Sequence, residues 1–106
     1  MADNQETAFF WSVAAPFLAH ESIEKGTMMG FPCLRFAGTF FASADHRTGD
    51  LVVKLPAPRV QELIAEGTGQ PFAPAGRTFR EWVLIAERDA GMWEEMINEA
   101  QKFVSK

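Results

Sequence analysis

Apolar residues recur with a period of two in the middle of the chain and with a helical period towards its C-terminus. Between Cys33 and Leu55, apolar side chains stand at alternate positions over several short runs, which is typical of strands with one buried face. Nearer the C-terminus, the apolar residues are spaced three and four apart, which is typical of a helix that buries one side. They are Trp93, Met96, Ile97, Ala100, Phe103 and Val104. These two patterns predict an α+β fold.

The first part of the chain is predicted to contain one helix. Residues 1–6 are polar, and we expect them to be disordered. Apolar residues fall at helical spacing from Thr7 to His20. Pro16 within this stretch predicts a kink or a break, because proline removes a backbone hydrogen bond and clashes with the preceding turn. Glu21–Gly26 is predicted to be a polar connection.

Three strands are predicted next: residues 27–36, Thr39–Ala44 and Leu51–Leu55. Gly30 and Pro32 interrupt the first of them. Ala37-Gly38 favours a tight turn, so the first two strands should form a hairpin. Residues 45–50 carry short polar side chains and a glycine, which favour a loop.

The remaining elements are predicted from turn and capping residues. Pro56-Ala57-Pro58 favours the start of a helix and Gly67 its end. Residues 68–79 are predicted to be a loop or a short edge strand, and Glu81–Ala86 a buried strand. Asp89 is predicted to cap the last helix. The predicted fold is a two-layer sandwich, with an antiparallel sheet, helices on one face and the order α-β-β-β-α-β-β-α, formed by residues 7–106 as one domain.

Composition and charge narrow the classes of function. The chain has 106 residues and a formal net charge of −4, which argues against a strong nucleic-acid partner. Its single cysteine excludes an intramolecular disulfide and suits a reducing compartment. The polar start lacks the features of a secretion signal, and no apolar run is long enough to span a membrane. A cytoplasmic protein without a membrane segment is therefore expected.

Three segments resemble the TfoX N-terminal domain family. They are residues 28–34 with the hairpin that follows, the strand Leu51–Leu55, and Gly76-Arg77 with Arg80-Glu81-Trp82-Val83. The related YjbR/MmcQ-like domains share the Trp-Val strand and a tryptophan in the last helix, here Trp93. The resemblance covers about residues 8–104. It implies a fold of helix, three strands, helix, two strands and helix.

For function, the resemblance implies a binding or regulatory domain. Members of the wider group have been proposed to bind DNA, and the namesake regulates natural competence, which is a role in transcription regulation. The namesake carries a second, C-terminal domain, whereas this chain ends soon after its predicted last helix. The competence role is therefore not expected of this chain.

Four basic residues are the strongest candidates for contact with an anion or nucleic acid: Lys54, Arg59, Arg77 and Arg80. If the strands near Lys54 and Trp82 are neighbours, Lys54, Arg77 and Arg80 share one surface and can bind phosphate or carboxylate groups. The alternative is that nearby carboxylates neutralise them, as is common for surface charges. Those carboxylates belong to Asp50, Glu62 and Glu81.

Aromatic residues indicate a candidate interface. Phe40 and Phe41 are adjacent on one strand, so they should point to opposite faces of the sheet and one of them should leave the helix-covered side. An exposed aromatic face would mark an oligomer or partner surface. The alternative is that the loop 68–79 covers that face.

Catalytic and metal-binding chemistry are not predicted. Asp45, His46 and Asp50 share a loop but lack the ligand order of a calcium loop and the spacing of a zinc site, so a solvated turn is expected. Cys33 lies between apolar residues and is predicted to be a buried, inert thiol. No cofactor is predicted.

The sequence thus favours a non-enzymatic interaction or regulatory module that acts as a homodimer or through a protein partner. DNA binding through Lys54, Arg77 and Arg80 is the alternative, and a small-molecule-binding protein or an enzyme is the weaker one.

Overall fold

The computed structural model describes residues 7–28, 31–45, 47–73 and 76–105, and within them it contains one six-stranded sheet and three α-helices. The helices are α1 (Ala8–Ala14), α2 (Ala57–Glu66) and α3 (Ala90–Val104), and a short 3-10 helix, Ala15–Ala19, follows α1. The strands are β1 (Ile23–Met28), β2 (Phe31–Phe36), β3 (Thr39–Ala44), β4 (Leu51–Lys54), β5 (Gln70–Pro71) and β6 (Trp82–Ile85). The predicted α+β class is confirmed. The expectation that residues 1–6 are disordered lies outside the described residues.

All neighbouring strands are antiparallel, in the order β1-β2-β3-β4-β6-β5. The segment predicted as a polar connection is instead largely strand β1, which pairs with β2 from Ile23↔Phe36 to Met28↔Phe31. β1 is an edge strand, and its residues Glu24, Lys25 and Thr27 are exposed to solvent. The strand therefore lacks a complete alternation of buried apolar residues and exposed polar ones. Charged residues on an edge strand also hinder pairing with a further strand.

The helix ends predicted from proline, glycine and capping residues are confirmed. α1 ends at Ala14, and Pro16 occupies the first turn of the 3-10 helix that follows. Gly67 ends α2 in the left-handed conformation with φ of 83°, which costs little for a residue without a Cβ atom. The Asp89 carboxylate accepts a hydrogen bond of 3.0 Å from the Met92 N–H, so it caps α3 as predicted.

The helices cover one face of the sheet, which we call the helix-covered face. Strand residues on it and apolar residues of the helices form one buried cluster. The predicted stripe on α3 is confirmed, because Trp93, Ile97 and Ala100 are completely buried. The strand residues of this cluster are Ile23, Leu34, Phe41, Ala42, Ala44, Leu51, Val53, Val83 and Ile85.

The opposite side of the sheet is called the helix-free face. Residues that lie directly opposite each other on neighbouring strands point to the same face of a sheet. Cys33 lies opposite Ser43, and Val52 lies opposite Leu84, so each pair shares the helix-free face. A second, smaller apolar cluster lies here: Phe31, Val52, Phe72 and Trp82, with Phe40, Phe79 and Leu84 packed against it.

Candidate binding face

A β-bulge determines which of the two adjacent phenylalanines faces the helices. The register between β2 and β3 shifts at Leu34/Arg35, so Leu34 lies opposite Ala42 while Arg35 lies opposite Phe40. Phe41 is completely buried in the cluster on the helix-covered face. It has no exposed surface for a partner, which corrects its place in the predicted interface. Phe40 is half-buried on the helix-free face and remains the interface candidate.

The loop after β5 covers part of the helix-free face. Phe72 is almost fully buried, and its ring centre lies 6.1 Å from that of Phe31, 5.8 Å from Phe79 and 6.4 Å from Trp82. The Phe79 N–H donates to the Phe72 carbonyl over 3.0 Å, which closes the loop. The alternative that the loop 68–79 covers this face therefore holds at its β4–β6 end, where Phe72 and Phe79 provide the cover.

Three of the four predicted basic residues lie around this aromatic cluster. The Lys54 ammonium is 5.9 Å from the Trp82 ring centre and 3.8 Å from the Glu81 carboxylate. The Arg77 guanidinium carbon is 5.9 Å from the centre of the Phe79 ring, a distance at which a cation is attracted by the ring. Arg80 lies beside Phe79 and Trp82, in the lining of a shared cavity. The face therefore combines aromatic and cationic groups.

The fourth predicted basic residue, Arg59, lies on α2 and is already neutralised. Its guanidinium donates to the two Glu99 oxygens over 3.1 and 3.2 Å and to Glu62 over 3.0 Å. The hydrogen bonds to Glu99 and then to Glu62 raise the pKa of Arg59 above its ordinary value. This arginine joins α2 to α3 and is a poor candidate for an external anion.

The acidic loop between β3 and β4 is held by arginines. Asp45 is buried and accepts a 2.9 Å hydrogen bond from the Arg47 N–H, while Asp50 accepts one of 2.7 Å from Arg88. Among the described residues, no group of three or more histidine, cysteine, aspartate or glutamate residues is placed to hold a metal ion. His46, which shares this loop with Asp45 and Asp50 in the sequence, lies outside the described residues.

Cys33 is completely buried on β2. Burial raises the pKa of its thiol to about 11, although the Arg35 charge opposes part of that shift. The thiolate is the nucleophilic form of cysteine. A thiol that is inaccessible and protonated at neutral pH is therefore unsuited to nucleophilic attack, as the apolar neighbours of Cys33 in the sequence predict.

Sequence reasoning missed the role of Arg88. Its guanidinium donates to the Asp50 carboxylate, to the Ala86 carbonyl over 2.7 Å and to the Thr48 carbonyl over 2.6 Å. It also lies 5.5 Å from the centre of the Trp93 ring. Arg88 therefore fastens the β3–β4 loop above the N-terminal end of α3. These contacts could not be predicted from the sequence near Arg88, because Asp50 and Thr48 lie 38 and 40 positions away in the chain.

Comparisons of this chain with protein-family models, with curated proteins and with solved structures found no match. None of the helices in the described part of the chain combines the length and apolar character needed to cross a membrane.

Proposed function

We propose that this domain is a non-enzymatic binding module that contacts a second copy of itself or another protein through the helix-free face. One observation carries the proposal: Phe40 stays half-buried on a face that none of the described helices covers, packed against the aromatic cluster that Arg77 reaches through Phe79. Aromatic residues and arginine are enriched at protein interfaces and among the residues that contribute most to binding. Association would remove the remaining apolar surface from water, at about 25 cal/mol per Å².

Binding is favoured over catalysis because of the chemistry of the available groups. The thiol of Cys33 is buried and protonated, and the carboxylates of Asp45 and Asp50 are engaged by arginines. A cytoplasmic location belongs to the same proposal, supported by the free, buried cysteine. So does membership of the TfoX N-terminal domain group, supported by the α+β class that the resemblance implies, although four strands precede α2 here and the resemblance implies three.

Analytical ultracentrifugation over a wide range of protein concentration tests self-association. We expect a concentration-dependent dimer that Phe40→Ala weakens. Phe103→Ala is the matched control, because Phe103 is a half-buried phenylalanine on α3, in the opposite layer. A protein that stays monomeric, or a dimer that Phe103→Ala weakens as much as Phe40→Ala does, would contradict self-association through this face.

DNA binding is the second candidate, favoured by Arg77 and Arg80, which have no carboxylate partner among the described residues. Titration of duplex DNA at low and moderate salt tests it. Two or three phosphate contacts give a slope of about −2 to −3 in log affinity against log salt. Arg77→Gln and Arg80→Gln should each reduce that slope by about one. DNA binding through these arginines would be excluded if the affinity did not depend on salt, or if the protein did not bind duplex DNA at low salt.

A further inference from the structure

A cavity of about 210 Å³ lies between α2 and the segment that leads into β6. Its apolar wall includes Ile64 of α2 together with Phe79 and Trp82. Polar groups are contributed by Gln61, Thr78 and Arg80. Apolar walls with a few convergent polar groups are characteristic of small-molecule sites. The volume is below the range of roughly 300–1,000 Å³ that holds drug-sized ligands, so a ligand here must be small.

Charge identifies the chemistry of that ligand. Arg80 is the one ionisable residue among those that line the cavity. Four of the six arginines, Arg35, Arg47, Arg59 and Arg88, have a carboxylate partner, and Arg77 lies over Phe79. Within the described part of the chain, Arg80 has neither a carboxylate nor a ring as a partner. In a protein with a formal charge of −4, this leaves a guanidinium free to receive an external anion.

We propose that this cavity binds a small carboxylate that carries an apolar group. The apolar group packs against Ile64, Phe79 and Trp82, and the carboxylate accepts hydrogen bonds from Arg80. The planar guanidinium matches the two oxygens of a carboxylate. The Thr78 hydroxyl and the Gln61 amide are further donors at the same wall. The carboxylate comes either from a free small molecule or from the C-terminal residue of a peptide.

The test is a titration of the full chain with phenylacetate, followed by nuclear magnetic resonance of the Trp82 indole and the Thr78 and Phe79 amides. We expect these signals to move and phenylacetamide, which has the same ring without the charge, to bind at least about tenfold more weakly. Arg80→Gln should weaken phenylacetate binding by at least about tenfold. Arg77→Gln is the matched control, since Arg77 also contacts Phe79 but does not line the cavity.

Three results would overturn the proposal: unmoved signals at about 10 mM phenylacetate, equal binding of the amide, or equal losses in the two arginine variants. A Gly-Gly-Phe peptide distinguishes the two sources, because tighter binding than phenylacetate indicates a peptide C-terminus and weaker binding a free small molecule. The titration is done at a concentration where the protein is monomeric. Its failure is therefore distinct from a failure of the proposed self-association.

Discussion

The two faces of the sheet are built from the same strands, yet they are covered in different ways. The helix-covered face is closed by three helices, and Leu34, Phe41, Val53 and Trp93 there have no exposed surface. The helix-free face is closed at one end by a loop, through Phe72 and Phe79, while Phe40 stays half-buried. A closed face holds the fold and tolerates little change. A partly closed face leaves apolar surface in contact with water, and this is the surface that we propose for binding.

The largest expected effect concerns Trp93, at the centre of the helix-covered face. Its ring is completely buried and meets the Phe9 ring edge to face, with 4.7 Å between the ring centres. The indole N–H donates a hydrogen bond of 2.7 Å to the Glu87 carbonyl. Trp93→Ala should lower the free energy of unfolding by about 3–5 kcal/mol, enough to threaten a small domain. Urea unfolding measures it. A loss below about 1 kcal/mol would show that this face does not hold the fold.

The next effect tests whether the cluster on the helix-free face is a second core. Phe72→Ala removes the ring that contacts Phe31, Phe79 and Trp82. We expect a loss of about 3 kcal/mol, at the low end for a buried phenylalanine because the ring is carried by a loop that can relax. Cleavage by protease within residues 68–79 should increase. Phe40→Ala, at a half-buried ring on the same face, should cost about 1 kcal/mol. If Phe72→Ala costs more than Trp93→Ala, the assignment of the main core is wrong.

The helices that pack on the helix-covered face could be predicted from the sequence because the residues that determine them lie close together in the chain. The spacing of Trp93, Ile97 and Ala100, the break at Pro16 and the cap at Asp89 each depend on residues within a few positions. Strand β1 was missed because an edge strand faces solvent. Its exposed charges resemble those of a connection.

The helix-free face was less predictable because its features depend on distant contacts. The alternation of strands placed Phe40 and Phe41 on opposite faces, but which of them faces the helices depends on a register shift with no local signal. Arg88 reaches partners that lie 38 and 40 positions away. The neutralisation of Arg59 by Glu99 likewise depends on the packing of α2 against α3. The position of Arg80 in the wall of a cavity depends on the packing of α2 against the segment that leads into β6.

A pH effect sharpens the comparison at Cys33, which is buried although it lies on the helix-free face. Its pKa is raised from the usual 9.0 to about 11, mainly by burial. The thiol therefore stabilises the fold fully below pH 9, and this contribution is lost as pH rises from about 9 to about 11. The loss should be on the order of 2 kcal/mol.

Unfolding of the protein and of Cys33→Ala between pH 8 and pH 11 measures this contribution. We expect the variant to lack the additional alkaline loss of stability, and iodoacetamide to modify native Cys33 far more slowly than the unfolded chain. Rapid alkylation of the native protein at pH 8 would instead show that this part of the helix-free face is open to solvent.

The smallest effect separates an arginine that holds the fold from one that is free to bind. Arg88→Gln removes hydrogen bonds to the Asp50 carboxylate and to the Thr48 carbonyl. It should cost about 1 kcal/mol, because the Arg88 side chain is 38% exposed and water weakens its ion pair. Arg80→Gln should change the free energy of unfolding by less than about 0.5 kcal/mol, as expected for an exposed side chain that pairs with no carboxylate in the described part of the chain. Urea unfolding of the two variants side by side makes the comparison. If Arg80→Gln costs as much as Arg88→Gln, Arg80 is held within the fold and is not available to a ligand.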